Sequence, residues 1–387
     1  MNSKTFNSLI RATVYTLLTM VAYYLFRLQA AGDMNNSDLP QHLEIIDNYI
    51  KGNFYIPHPV FHLTVYFLSL LAGVTTATAA PIVMTLSVAL TLLAVESTLR
   101  FLDGSDQFKL SNHFAALSLL FAIAIYLPFF SQYMYLGQLS PNIWHSQTML
   151  MLRPVALLSF VLYVRFILLG KSDSLPGLTA GALLLFASTA IKPSFVITFI
   201  PALFIYHLLF HWTEKERWLK GALWLAPSVL LLAYQFIRTY LSAGTESYFH
   251  DSIIFTWFGF LKLHSPNLFI SALLVLAFPL SVLFSDWQRA LNNRYLLLSW
   301  LVTFVAYLQA SFLAEAQKFD QGAFAFGYVN ALFLLYIFSL QELMARIRSE
   351  STPSFTPANL VPLAIFSLHL FSGIIYFAKL LQGGNYL

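Results

Sequence analysis

The segment PVFHLTVYFLSLLAG, residues 59–73, decides how the chain is threaded through a membrane. It is almost wholly apolar, but it is only 15 residues long. An α-helix rises about 1.5 Å per residue, so about 20 residues are needed to cross a hydrocarbon core of roughly 30 Å. We therefore predict that this segment forms an interfacial or re-entrant helix and does not span the membrane.

The composition around this segment is that of a membrane protein. The 387 residues are 58% hydrophobic and only 10% charged, and they include 37 Phe, which excludes an ordinary soluble domain. The absence of Cys excludes disulfides, thiolate metal sites and cysteine nucleophiles. The net charge of +4 requires no nucleic acid as a partner, because membrane topology accounts for the placement of Lys and Arg.

Apolar runs bounded by charges predict an all-α polytopic protein in one transmembrane domain, residues 1–387, with about 11 transmembrane helices. The predicted spans are 8–28, 77–99, 113–130, 149–170, 175–191, 194–212, 219–240, 265–285, 295–313, 323–344 and 359–381. With residues 59–73 left unspanned, the cation-rich loops fall on the side of Lys4 and Arg11, which the positive-inside rule makes cytoplasmic. The outer side then receives the first outer loop, residues 29–76, and most of the His.

The first outer loop contains SDLPQHLEIIDNYIKG, residues 37–52, whose apolar spacing predicts a short amphipathic interfacial helix. Asp38 lies at the N-terminal end of this helix, and His42 follows one turn later. Asp is a common N-cap residue, so helix capping is the alternative to a chemical role for Asp38.

The motif HPVFH, residues 58–62, places His58 and His62 four residues apart, which predicts that they share one helical face. The same spacing occurs in metal sites with two His ligands. A zinc site needs a third ligand, and the neighbouring sequence supplies none, so we predict no metal here.

The second outer loop, GQLSPNIWHSQTMLMLRP at residues 137–154, offers Asn142, His145 and Arg153. Arg153 lies just inside the start of a span, where a cation is costly unless it faces a cavity, the bundle interior or a counter-charge. It is therefore a functional candidate, and pairing with an acid such as Glu315 is the alternative.

Two later outer segments add cations. Lys192 in STAIKPSF, residues 188–195, precedes a helix-breaking Pro, and a snorkelling Lys is the alternative there. Residues 312–328, FLAEAQKFDQGAFAFGY, contain Glu315, Lys318 and Asp320, which can also pair with one another. The polar residues of AGTESYFHDS, residues 243–252, carry less weight because such residues near span ends are usually only solvated; they are Glu246, His250 and Asp251.

The order and layout of these motifs resemble bacterial members of the GT-C superfamily of polytopic glycosyltransferases over about the whole chain. Those enzymes take a sugar from a polyprenyl-phosphate carrier at the outer face of the cytoplasmic membrane. The resemblance implies an inverting transfer to an acceptor hydroxyl, with Asp38 as general base and Asp33 as the second choice. It implies that three cations bind the donor phosphate, namely Arg153, Lys192 and Lys318. It also implies a set of substrate-binding residues: His42, His58, His62, Asn142, His145 and Glu315.

The same resemblance implies a lipid-linked sugar donor, a glycan or lipid acceptor, membrane lipid as surroundings, and a site facing the periplasm of a bacterial inner membrane. The second outer loop lacks the acidic pair of metal-using relatives, so we expect a metal-independent reaction without a cofactor. A polysaccharide polymerase or ligase is one alternative, although its long outer loop is expected elsewhere than at residues 29–76. A lipid-linked glycan transporter or flippase is the other, and it would be expected to show inverted repeats and polar residues at the membrane midplane.

Overall fold

The computed structural model describes residues 3–32, 37–53, 55–104, 109–134, 138–142, 144–171, 175–241, 251–349 and 356–384. Eight helices in these ranges are long and apolar enough to cross a membrane. They are α1 (Ser3–Ala31), α4 (Thr76–Leu102), α6 (Gln147–Tyr163), α9 (Lys215–Phe236), α11 (Leu268–Ser285), α13 (Arg294–Phe312), α14 (Ala325–Ser349) and α15 (Pro357–Leu381). One π-helical turn extends α6 over Val164–Leu168, and another extends α9 over Ile237–Leu241.

The other helices are shorter. They are α2 (Leu39–Ile50), α3 (Val60–Ala72), α5 (Leu110–Phe121), α7 (Leu175–Ile191), α8 (Ser194–Phe210), α10 (Gly259–His264) and α12 (Trp287–Asn292). The predicted all-α multi-pass architecture is thus confirmed, and each predicted span contains an apolar helix. Helix α3 has 13 residues, about 20 Å of rise, which is the short helix expected of residues 59–73.

Helix α14 forms the centre of the bundle. Every residue from Tyr328 to Leu343 is buried, and the helix packs against α13, α8 and α11. Apolar side chains all round a helix are expected when other helices enclose it. The first turn of α14 begins at Ala325, so Phe326 lies where the central helix starts.

The predicted span 113–130 was wrong beyond residue 121, where α5 ends. The next residues are buried without helical hydrogen bonds, and other elements bind their backbone. The Ile125 N–H donates to the Leu274 carbonyl at 3.0 Å, and the Tyr126 N–H donates to Ser372 Oγ at 3.0 Å. Irregular backbone at membrane depth is tolerated only where such partners replace water. Hydrogen bonds from other helices therefore stabilise the end of α5 at this point.

The helices alternate in direction and give the bundle two ends. We call the site end the one that carries α2, the turn between α7 and α8, and the ribbon formed by β1 (Ile253–Phe255) and β2 (Leu313–Glu315). The opposite end holds the cation-rich loops, where Arg348 pairs with Asp103 and Arg289 with Glu342. The predicted separation of the cation-rich loops from the loop of Asp38 is therefore present in the fold.

The two-stranded ribbon was not predicted, because three-residue strands give no periodic signal. Its strands are antiparallel, and Ile253 lies opposite Glu315. The pairing fixes the backbone of Glu315 at the site end, directly before the turn that carries Lys318.

Candidate functional site

Asp38 occupies the N-cap position of α2, but its carboxylate accepts no capping hydrogen bond. The hydroxyl of Ser37 accepts from the Leu39 N–H at 3.3 Å instead, and the Asp38 carbonyl accepts from the His42 N–H at 3.0 Å. Burial lowers the pKa of the Lys192 ammonium group, and the Asp38 carboxylate offsets part of that effect electrostatically. The capping alternative therefore lacks its defining contact, and the acid lies close to a cation from a distant part of the chain.

Lys192 is the cation at the centre of this group. Pro193 is the N-cap of α8, so α7 stops and the Lys side chain leaves the turn between the two helices. Its Nζ donates to Thr148 Oγ1 at 3.2 Å and lies 3.5 Å from the ring centroid of Phe326. These contacts turn the ammonium toward α6 and α14 and away from the snorkelling position.

The charge of Lys192 is sensitive to pH. Burial lowers the pKa of Lys192 to about 8, although the carboxylates of Asp38 and Glu315 raise it in part. Both acids therefore lie within electrostatic range of the same ammonium. At pH 7 the group is therefore mainly charged.

Two His side chains, His42 and His58, lie within electrostatic range of Lys192, and His62 contacts His42. His42 Nδ1 and His62 Nε2 are 2.9 Å apart, so one imidazole donates to the other. The prediction that His58 and His62 share a helical face was wrong, because α3 begins at Val60 and His58 lies in the preceding turn. His58 is nevertheless close enough to Lys192, His62 and Lys318 for their charges to act on it.

Burial keeps these imidazoles neutral. It lowers the pKa of His58 to about 3 and that of His62 to about 4, and it lowers the pKa of His42 well below its usual value. The same effect, helped by the charges of Lys192 and Arg153, lowers the pKa of His145 to about 3. Neutral imidazoles can both donate and accept hydrogen bonds, which suits them to binding hydroxyl groups.

Lys318 joins the group from the turn after β2. Burial lowers its pKa, while the charges of Glu315 and Asp251 raise it. Glu315 Oε1 accepts a hydrogen bond from the Tyr240 hydroxyl at 2.7 Å. Asp251, which was not among the predicted site residues, is buried and accepts from the N–H groups of Ser252 and Gln317 at 2.7 and 2.9 Å. It therefore fixes the turn that presents Lys318.

Arg153 is buried and binds residues of the second outer loop. Its Nη1 donates to Asn142 Oδ1 at 2.9 Å, its Nη2 donates to the Pro141 carbonyl at 2.6 Å, and its guanidinium stacks on Phe333. Asn142 Nδ2 in turn lies 2.7 and 2.6 Å from the carbonyls of Leu119 and Ala122. Asn142 and Arg153 thus clasp the loop to the broken end of α5.

Several contributors were not predicted from the sequence. Gln235 Nε2 donates to the carbonyls of Pro57 and Thr189, at 3.0 and 3.1 Å, and so ties α9 to the segments before His58 and Lys192. Thr148, Phe326 and Tyr240 contact the charged residues directly. The only sequence signal for Gln235 and Thr148 is a polar side chain in an apolar run.

The described ranges contain no group of three or more His, Asp, Glu or Cys residues arranged to hold a metal ion. Three residues that the sequence singled out lie outside the described residues, namely Asp33, Glu246 and His250. The others fall into two sets: the charged cluster of Asp38, His42, His58, His62, Lys192, Glu315 and Lys318, and the clasp of Asn142 and Arg153, with His145 beside it.

A solved structure shares this architecture. The crystal structure of ArnT from Cupriavidus metallidurans in the apo state superposes with a TM-score of 0.50 at 13% sequence identity, covering 96% of this chain and 75% of ArnT. The chain therefore shares the overall helical membrane fold of that structure. No protein-family model matches the sequence, and no curated protein matches it significantly.

Proposed function

We propose that this chain is a membrane glycosyltransferase that moves a sugar from a polyprenyl-phosphate-linked donor to an acceptor hydroxyl. The observation that carries the proposal is the charged cluster. An acid that does not cap its own helix faces Lys192, with Lys318 and three neutral imidazoles beside them. A transfer of this kind needs a base for the acceptor and cations for the leaving phosphate. The fold shared with ArnT agrees with that assignment.

In the proposed reaction, the acceptor oxygen attacks the anomeric carbon and its proton passes to the carboxylate of Asp38. The bond between that carbon and the phosphate oxygen breaks as the new glycosidic bond forms, so the configuration inverts. The departing polyprenyl phosphate gains negative charge, which Lys192 and Lys318 stabilise. His42, His58 and His62 hydrogen-bond the hydroxyls of the sugar or acceptor.

Arg153 has a different place in this proposal. Its two terminal nitrogens are occupied by Asn142 and Pro141, and the residue is buried. We propose that it acts on the donor phosphate indirectly, through the loop that Asn142 clasps and that carries His145. Glu315 acts in the same indirect way. Its carboxylate accepts a hydrogen bond from Tyr240, and its charge raises the pKa of Lys192 and of Lys318, which favours their charged forms.

A genetic experiment tests the transferase directly. The gene is deleted from the host and replaced by the wild type, by Asp38→Asn or by Glu44→Gln, and lipid-linked sugars and envelope glycans are compared by mass spectrometry. Glu44 is an exposed acid on the same helix and serves as the matched control. We expect the wild type and Glu44→Gln to restore one glycosyl modification and Asp38→Asn to leave the unused lipid-linked donor. Restoration by Asp38→Asn would refute the assigned base.

The proposed orientation places the site end at the periplasmic face of the inner membrane. The chain has no native Cys, so single-Cys variants report topology without background. Lys51→Cys at the end of α2 should react with an impermeant maleimide added outside the inner membrane, whereas Glu216→Cys at the opposite end should react only after the membrane is opened. The reverse pattern would contradict a periplasmic site.

A further inference from the structure

A groove of about 190 Å³ lies between the site-end halves of α1 and α4, and no residue of the charged cluster lines it. Tyr23, Arg27 and Ala31 line it from α1. They recur every four residues and so form one stripe on that helix. The opposite wall consists of Ala77, Thr78 and Pro81 of α4. Among the described residues that line the groove none is acidic, and Arg27 is the charged one.

Arg27 is exposed, and in the described residues neither its guanidinium nor the Tyr23 hydroxyl makes a hydrogen bond or ion pair. The buried side of the same helix contrasts with this stripe: Gln29 is fully buried and donates to the Trp144 carbonyl at 3.0 Å. An Arg without a partner near the end of a membrane helix is costly unless a ligand or the interface supplies one. The groove therefore offers an unpaired cation, a hydroxyl and small side chains that leave room beside them.

The depth of Arg27 matches a lipid headgroup. Helix α1 has 29 residues, about 43 Å of rise, which exceeds a hydrocarbon core of roughly 30 Å. Its two ends therefore reach into the headgroup layers. Arg27 precedes the last residue of the helix by four positions, about 6 Å, so a helix centred in the membrane places Arg27 near the phosphates of one leaflet.

We propose that this groove binds the phosphate of an anionic glycerophospholipid from the surrounding bilayer. The Arg27 guanidinium donates to the phosphate oxygens, and the Tyr23 hydroxyl adds a second donor. The small residues of α4 accommodate the glycerol and the first part of the acyl chains. A lipid with net negative charge is favoured because the described lining residues include the cation Arg27 and no acid. This inference is independent of the proposed transferase activity.

Native mass spectrometry of the purified full chain in detergent tests the site. Four probes are compared: phosphatidylglycerol, phosphatidylcholine, diacylglycerol and polyprenyl monophosphate. We expect phosphatidylglycerol to be retained best and Arg27→Gln to weaken its binding about tenfold or more, since hydrogen bonds to charged groups are the strong ones. Ala77→Leu fills the groove without changing charge and should also weaken binding.

Controls separate loss of this site from a loss of surface charge and from unfolding. Lys51→Gln removes an exposed cation elsewhere at the site end and should leave phosphatidylglycerol binding unchanged. Thermal unfolding of each variant in detergent checks that it is folded, and Arg27→Lys should retain part of the binding. Three outcomes would overturn the inference: unchanged binding in Arg27→Gln, equal retention of diacylglycerol, or Arg27-dependent preference for polyprenyl monophosphate over phosphatidylglycerol.

Discussion

The pKa of Lys192 gives a prediction that does not require the sugar to be known, because every proposed donor leaves the same product, polyprenyl phosphate. Burial lowers that pKa to about 8, so about three quarters of the side chains are charged at pH 7.5 and about one tenth at pH 9. Only the charged form binds phosphate strongly. The affinity for polyprenyl monophosphate should therefore fall about eightfold between these pH values.

The ligand itself does not titrate in this range, since the second ionisation of a phosphate monoester lies near pH 6. Equilibrium binding of radiolabelled polyprenyl monophosphate to the purified chain, measured from pH 7.5 to 9.5, gives the profile. Lys192→Arg provides the decisive comparison, because a guanidinium stays charged throughout and should flatten the profile. Lys192→Met should bind weakly at every pH, while Lys262→Met, an exposed Lys in α10, should behave as the wild type.

Two results would refute this reasoning. A wild-type affinity that does not change up to pH 9.5 would mean that Lys192 is not the phosphate cation. An equally steep decline in Lys192→Arg would assign the titration to another group, and Lys318, whose pKa burial also lowers, would be the next residue to replace.

Three further predictions concern stability. Gly373→Ala would place a methyl group against the Phe121 carbonyl oxygen, so the free energy of unfolding should fall by about 1–3 kcal/mol and the melting temperature with it. The control Ser367→Ala, on the exposed face of α15, should have little effect. Asn142→Asp keeps an acceptor for Arg153 but loses the hydrogen bonds that the amide donates to the carbonyls of Leu119 and Ala122, which should lower the free energy of unfolding by about 2–3 kcal/mol. Unchanged thermal unfolding would argue against the clasp. His62 is neutral in the fold with a pKa of about 4, against about 6.5 when unfolded, so acid favours the unfolded chain. The free energy of unfolding should decline as the pH falls from 6.5 toward 4, and the contribution of His62 to that decline is about 2 kcal/mol at pH 5. In a pH series of melting curves, the stability of His62→Gln should therefore decline less than that of the wild type.

The helical architecture could be predicted because each span is an apolar run with charges at its ends. The break after Phe121 could not, since the sequence FAIAIYLPFF, residues 121–130, is as apolar as a helix interior. What opens the helix there is a set of partners far along the chain, among them Ser372 and Leu274. Periodicity within a window carries no information about such partners.

The candidate site was predictable in part, because some of its residues are charges that interrupt apolar sequence. Asp38, Lys192 and Lys318 stand out as charges beside apolar runs, and the alternation of spans placed them at one end. The contact of Arg153 was not predicted, because pairing with an acid such as Glu315 was the alternative to a functional role. The structure places Asn142 against it, and Glu315 accepts from Tyr240. Gln235 was missed since one amide in an apolar helix is commonly a structural residue.

A structure of the chain with polyprenyl monophosphate, determined by electron cryomicroscopy in a lipid nanodisc, tests the central claim most directly. We predict that the phosphate lies at the site end within hydrogen-bond distance of Lys192 Nζ, with Lys318 beside it and the Asp38 carboxylate facing the side from which an acceptor would approach. A phosphate bound away from both lysines, or with Asp38 turned from it, would contradict the proposed glycosyl transfer.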